Sequence, residues 1–560
     1  MKKNSFVEGT LVAYTMILIT KLLGAVYVIP FYKIIGTSGG VLYSYAYNVY
    51  NLFLNISTSG IPTAVSIIIA EYNTLKLFNE REKAFKVANK VISCISFIAF
   101  IIMFTFAGSL GNFFVKDLDG ATNIESIKLV IRTISFCLLV IPFLSVTRGY
   151  LQGNKYVANS SVSQLIEQVV RIAVVLIGSY VAINLLHFSV PVGVSFALSG
   201  TVLGGLAAFL YLKYKIHKNK ADFRRNVTSI KDANVKESEI IKKITMYAIP
   251  IIIVSITQNI YDMIDMKLIL KGLYMIGYGA KDCEYIASII VTWTPKICMI
   301  INALATGLCT SIIPFVVSSF VKKDFKALND KFNQAVNTIL FISIPLAAFL
   351  IIYSKPVYYI FYGESIYGPE ILCILSIISI VFSIQLVSNM MLQGMKRYKI
   401  VYLNTIAGVI VNSLLDIPMI LLLNKINFKP YLGTIIATLI GGLISIMIIF
   451  IVLKRRYKFK YRHIWNVLTH SLINTFFAAI IMFILKVILF DKFILYKLLV
   501  KVIHSTYIIT FFELGVCGLL TLGFYTYLTN RIGLVDKIFG KNTIERVLIK
   551  LKIKKIEEEN

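Results

Sequence analysis

The chain has 560 residues, 57% of them hydrophobic and only 15% charged, and its mean hydropathy is +0.78. So little charge at this length excludes a soluble enzyme or soluble binding module. The net charge of +29 raises nucleic-acid binding, but the cations flank apolar runs, where positive-inside placement and attraction to anionic lipid account for them, so no nucleic-acid partner is expected.

Taken in chain order, apolar runs of about 20 residues match the ~30 Å hydrocarbon core of a bilayer. The first, 6–35, is too long for a signal-peptide core, holds Glu8 and Lys21, and lacks a convincing small-residue cleavage site. It is expected to stay as span 1, kinked at Pro30. Spans 2 to 6 follow at 41–70, 87–114, 127–150, 157–184 and 190–214. Beyond a polar connector come spans 7 to 12, at 241–271, 285–319, 332–354, 369–394, 400–424 and 431–454, then spans 13 and 14 at 464–490 and 502–529. Charges at Lys281 and Lys497 thin the apolar signal at two boundaries. No alternating strand pattern appears. The expected fold class is therefore all-α, a polytopic membrane protein with about fourteen transmembrane helices. Residues 531–560, with Ile532, Leu534, Val535, Ile538 and Phe539 among lysines, read as an amphipathic surface helix.

Lys and Arg are rich in the connections after even-numbered spans, such as Lys76 to Lys90, Lys322 to Lys331 and Lys454 to Arg462. The connection Asn184 to Pro191 has neither. This alternation places both termini on the cytoplasmic side.

Two stretches repeat. RGYLQGNKY at 148–156 and NMMLQGMKR at 389–397 both carry Leu-Gln-Gly, and Gln152 and Gln393 are 241 positions apart. STSGIPTAVSIIIAEY (57–72) and LATGLCTSIIPFVVSSF (304–320) also match, with Gly60 and Gly307 separated by 247. Gly153 and Gly394 are expected to permit the tight turn after each copy. A same-sense duplication implies two pseudo-symmetric six-helix lobes that rock for alternating access. The expected organisation is an N-lobe at 1–214, a basic connector at 215–240, a C-lobe at 241–456, helices 13 and 14 at 457–530, and the tail at 531–560.

Seven scattered cysteines and five histidines show no metal-ligand spacing, and there is no GxxxxGK[ST] segment. No cofactor, metal or nucleotide chemistry is expected, and the short outer loops offer no carboxylate or His constellation for an enzyme.

Ionisable residues inside spans are expensive and point to function. Lys21 lies deep in span 1, where it would line an anion cavity or pair with a carboxylate of a neighbouring span. Glu167 and Arg171 are an i, i+4 pair in span 5, able to satisfy each other or face the cavity. Asp262 and Asp265 share a face of span 7 at i, i+3 and would answer Lys21 or bind a coupling cation. Arg148, at the end of span 4, reads by position as a positive-inside anchor. Lys296, Asp416 and Glu513 suggest no role. Several buried cations without matching acids favour a watered, positively biased cavity for a phosphate or diphosphate headgroup.

The segment ITKLLGAVYVIPFYKIIGTSGGVLYSYAYNVYNLFLNISTSGIPTAVSIIIAEY (19–72), RGYLQG with SQLIEQVVRI (163–172), and KPVYYIFYG (355–363) resemble one family across essentially the whole chain. It is the polysaccharide biosynthesis and stage V sporulation protein B branch of the multidrug/oligosaccharidyl-lipid/polysaccharide flippase superfamily, related to MurJ-type lipid II flippases. The resemblance implies movement of undecaprenyl-diphosphate-linked saccharides across the bacterial cytoplasmic membrane. Its expected partners are the lipid-linked saccharide, membrane lipids and cell-wall synthesis proteins. It also implies that Lys21, Arg148, Glu167 and Arg171 line the substrate cavity and that Asp265 matches an acid of helix 7. Val28 stands after Tyr27 where that branch commonly has Arg, and the lost cation implies a weaker or different headgroup preference than for lipid II. A multidrug cation antiporter of the same superfamily, or a sporulation or envelope-assembly protein without transport, are the alternatives.

Overall fold

The computed structural model describes residues 16, 19–21, 23–218, 235–488 and 506–539. Phe6 and Glu8 of span 1, the middle of the connector, the stretch around Lys497, and the tail beyond 539 lie outside the described residues. Every regular element among the described residues is helical. Lipid offers no partner for backbone N–H and C=O groups, and a helix satisfies them internally.

Thirteen helices among the described residues are long and apolar enough to cross a membrane. One of them, Ile19–Thr74, has 56 residues, about 84 Å if straight, far more than the ~30 Å core. It is broken at Gly36 (φ 66°, ψ −172°), a conformation open only to glycine, and again at Ser59 and Gly60. The helix also turns at Tyr27 and resumes as Val28–Thr58. Pro30 is the third residue of the resumed helix, where its missing N–H is tolerated.

Several spans are composite. Span 3 consists of Phe78–Thr105 and Ala107–Val115. Span 4 is Ile124–Ser135, a 3₁₀ turn at Phe136–Leu139, and Ile141–Gly153 opened by Pro142. Span 8 starts earlier than its hydropathy indicates, at Ala280, and passes through a π turn at Ile289–Trp293 before Thr294–Val321.

The chain forms two compact units: residues 1–293 with 409–437, and residues 294–408 with 438–560. In the first, Val157–Tyr180 and Val190–Lys218 form the most extensive helix pair, and Ile61–Thr74 lies along Ile141–Gly153. In this second pairing a Cβ on Gly149 would fall 2.4 Å from the Pro62 carbonyl oxygen, and one on Gly153 2.6 Å from that of Ser66. The two glycines, four residues apart, let the backbones touch, as small residues do in membrane helix pairs. Gly153 is thus not the turn residue: it ends the helix, and the left-handed residue is Lys155, φ 67°. Gly394 behaves alike, facing Val316 with Lys396 (φ 56°) in the turn. Leu-Gln-Gly is a helix-contact element, and the turn lies two residues later.

In the second unit Thr294–Val321 packs along Gly368–Gly394, and Phe325–Ile352 along Arg462–Lys486, which Thr506–Arg531 flanks. Tyr353 donates to the Met482 carbonyl at 2.7 Å and Tyr525 to that of Phe341 at 2.9 Å. After Arg531 a short helix, Leu534–Phe539, buries Leu534, Val535 and Ile538 and leaves Ile532 exposed.

Apolar residues face outward, among them Phe97, Ile98, Ile101 and Ile102 on span 3 and Leu472, Ile473, Phe476 and Phe477 on span 13. Several hydroxyls inside bond back one helical turn, as Ser57 does to the Phe53 carbonyl (2.9 Å) and Ser376 to that of Leu372 (2.7 Å). Apolar side chains outside, with backbone polar groups satisfied within the helices, is the distribution lipid requires.

Candidate functional site

Span 5 carries the candidate site residues Glu167 and Arg171, and the glycine face of span 6 packs against their backbone. A Cβ on Gly200 would lie 2.9 Å from the Arg171 carbonyl oxygen, and one on Gly204 2.6 Å from that of Glu167 and 3.1 Å from the Arg171 Cβ. Backbone contact at these two residues fixes where their side chains begin.

The i, i+4 pairing of Glu167 with Arg171 does not close. Glu167 Oε2 instead accepts from Arg148 Nη2 at 2.8 Å, while Arg148 Nε donates to Ser163 Oγ at 2.8 Å. Arg148 and Glu167 are 13% and 16% exposed. Arg148 is an internal ion pair joining span 4 to span 5 rather than a bare surface anchor. Its counterparts one repeat later, 241 positions on, are Asn389 and Asn404, joined by an Asn404 Nδ2 to Asn389 Oδ1 bond of 3.0 Å. The geometry is repeated and the charge is not.

Arg171 turns to Gln168, whose Oε1 accepts from Nη2. Tyr27, Tyr43 and Tyr47 lie within electrostatic reach of the guanidinium, the last two with rings stacked at 5.4 Å. Among the described residues, buried Arg171 Nε and Gln168 Nε2 find no acceptor. Gly24 of span 1 stands against that amide, its Cβ position 3.2 Å from Nε2. Two open donors beside a fixed cation suit an anionic oxygen, since leaving buried donors unsatisfied costs about 1–3 kcal/mol each.

Asp265 gathers a second group. Asn412 Nδ2 donates to Asp265 Oδ1 at 3.0 Å and to Asp416 Oδ2 at 3.3 Å. Asp265 is 7% and Asp416 0% exposed. Asn412 Oδ1 and Asp416 Oδ1 have no hydrogen-bond partner among the described residues. Asn412 and Asp416 are one turn apart on Tyr398–Lys425, a spacing visible in the sequence, but nothing in it joins them to span 7. Asp262, one turn before Asp265, and Lys21 in span 1 are both half-buried.

Sequence reasoning also passed over Glu284. Its carboxylate, 2% exposed, accepts from Thr122 N at 3.0 and 3.1 Å, from Thr122 Oγ1 at 2.9 Å and from Tyr45 OH at 3.0 Å. Glu284 lies one residue ahead of the apolar run that begins at 285, so hydropathy alone gives it no place in a span.

The model of the family described as Polysaccharide biosynthesis protein matches residues 6–280, and the MatE model matches 250–417. The chain is 32% identical over 430 residues to the lipid II flippase MurJ of Bacillus subtilis (strain 168), covering 75% of this chain and 78% of that protein. It is 21% identical over 371 residues to stage V sporulation protein B of the same organism, covering 65% and 68%. Its fold matches a solved inward closed conformation of MurJ with a TM-score of 0.58 at 14% identity, covering 93% of this chain and 99% of that one. Helical architecture and sequence kinship agree: the chain belongs to the multidrug/oligosaccharidyl-lipid/polysaccharide flippase superfamily, with a MurJ-like relationship.

Proposed function

We propose that this chain moves an undecaprenyl-diphosphate-linked saccharide, a peptidoglycan precursor or related polysaccharide unit, across the bacterial cytoplasmic membrane. The observation that carries this reading is the Arg171 group: a guanidinium whose buried Nε is an open donor beside the open Gln168 Nε2 fits a diphosphate and has no use in a site for organic cations. The name of the 32% identical relative supports the cargo class. Lys21 supplies the second cation of the cavity, and the Arg148–Glu167 pair ties span 4 to the helix that presents Arg171.

In this reading fourteen spans make two six-helix lobes, 1–214 and 241–456, that rock for alternating access. Spans 13 and 14 are accessory, and both termini are cytoplasmic. The repeated Arg148–Ser163 and Asn389–Asn404 contacts, each across fifteen residues, support the duplication. The chain acts as a transporter rather than an enzyme, and hands its product to cell-wall synthesis proteins.

Asp265, Asn412 and Asp416 offer only oxygen toward a ligand, with two oxygens unpartnered, a donor set for a hard monovalent cation or a proton. Asp262 lies one turn away on the same helix. Such a site would couple flipping to an ion gradient or to the membrane potential.

Complementation of a strain depleted of its lipid II flippase tests the reading. The parent chain should restore growth, and Lys21→Ala and Arg171→Ala should lower the rescue at equal membrane abundance. Equal rescue by both variants would remove the cavity assignment. Failure of the parent, with repair of a capsule or spore-cortex defect instead, would move the cargo. A multidrug cation antiporter is the second reading, favoured by the MatE match across Asp265, Asn412 and Asp416. It requires efflux of a cationic dye that survives Arg171→Ala.

A further inference from the structure

The backbone of the connections alternates along the chain. Leaving aside the two connections partly outside the described residues, each connection between spans holds a residue in the left-handed region. After odd-numbered spans these are Gly36, Gly120, His187, Gly277, Gly363 and Asn427, the residue types that enter this region most readily. After even-numbered spans they are Lys76 (φ 58°), Lys155 (67°), Lys323 (58°), Lys396 (56°) and Lys458 (56°). Lysine is a poor choice on conformational grounds, because its Cβ crowds the following carbonyl.

At the first four lysines the turn has one form. The lysine N–H donates to the carbonyl three residues back at 2.9–3.3 Å, and the next N–H to the carbonyl five residues back at 2.8–2.9 Å. This is the helix ending that ordinarily takes glycine at the left-handed position. The placement is duplicated: Lys76 and Lys323 are 247 apart, as are Gly60 and Gly307, and Lys155 and Lys396 are 241 apart, as are Gln152 and Gln393.

Helix-dipole complementarity does not require this, since an unstrained lysine in the last turn would serve it equally. All five side chains are exposed. None is in an ion pair among the described residues, whereas Lys90, Lys128 and Lys243 are paired with Glu237, Glu125 and Glu71. What the left-handed position adds is a turn at the end of a span, closed by two backbone hydrogen bonds, that presents an exposed lysine with no ion-pair partner among the described residues.

We propose that the five left-handed lysines are docking points for anionic phospholipid headgroups on the membrane face they share. Each rigid turn sets its ammonium at headgroup depth, so the lipid contact is localised at the helix ends and not spread over all basic residues. The proposal rests on the reading that connections after even-numbered spans lie on one side, and is independent of the cargo.

The test compares three full-length proteins in phosphatidylcholine nanodiscs with and without phosphatidylglycerol. They are the parent, the series Lys76→Gly, Lys155→Gly, Lys323→Gly, Lys396→Gly and Lys458→Gly combined, and a control combining Lys86→Gln, Lys218→Gln, Lys326→Gln, Lys399→Gln and Lys454→Gln. In phosphatidylcholine the glycine series should melt no lower than the parent. Phosphatidylglycerol should raise the melting temperature of the parent and the control by similar amounts, and that of the glycine series by less than half as much. An undiminished shift in the glycine series overturns the proposal, and so does an equal loss in the control, which would mean diffuse charge. A parallel series with Asn at the five positions makes the same prediction should the glycine series not fold. Labelling of Lys76→Cys and Lys396→Cys in sealed vesicles checks the shared face by itself: reaction from opposite sides would mean that the topology fails.

Discussion

Glu167 lies between two arginines and bonds to Arg148, and that choice makes the pair testable. Removing Arg148 alone strands a carboxylate that is 16% exposed. Arg148→Ala should therefore destabilise by about 2–3 kcal/mol, less than the ~3–5 for a fully buried pair because some solvent reaches it. The double variant Arg148→Asn with Glu167→Gln should recover most of the loss, and thermal unfolding in detergent measures both. A single variant as stable as the parent would show that the pair is not closed. The acid group predicts an ion effect. Sodium, lithium or protons binding the native state should raise the parent melting temperature by mass action, and Asp265→Asn should flatten that response while Asp262→Asn retains it. A parent insensitive to all three would leave Asp265, Asn412 and Asp416 a structural bridge.

At the scale of elements, glycine spacing does what side-chain chemistry does at the scale of residues. Gly200 and Gly204 bring span 6 against the backbone beneath Glu167 and Arg171, while Gly178, in the same helix pair, would meet Phe196 at an ordinary 3.6 Å. Gly204→Ala should cost about 1–3 kcal/mol through overpacking, and it should lower rescue more than its stability loss explains, because it displaces Arg171. Gly178→Ala should change stability by less than about 0.5 kcal/mol. If both behave alike in melting and complementation, the glycine face does not position the site. The same logic corrected Gly153 and Gly394: a glycine at a predicted helix end reads as a turn, but it can equally face a neighbouring helix that the sequence does not identify.

For the whole molecule, the expected behaviour is driven transport without a nucleotide. Proteoliposomes carrying a fluorescent undecaprenyl-diphosphate saccharide should move it to the opposite leaflet when a potential or ion gradient is imposed, and stop when ionophores collapse it. Movement at the same rate after collapse would remove the coupling role proposed for Asp265 and Asp416. Arg171→Ala should slow movement under either driving force, which separates cargo binding from coupling.

By itself the sequence determined the quantities that run along the chain. Bilayer thickness and helix rise convert apolar length into spans, so all-helical class and superfamily resemblance were legible in the sequence. Lys21, Arg148, Glu167, Arg171 and Asp265 were also visible as charges in apolar surroundings. Only the tertiary structure decided which partner each takes. Asp265 meets Asn412, and through it Asp416, across 147 residues, and Glu284 meets Tyr45 across 239. A hydrogen bond is decided by ångströms between helices remote in sequence, whereas hydropathy is summed within one helix and carries no information about its neighbours.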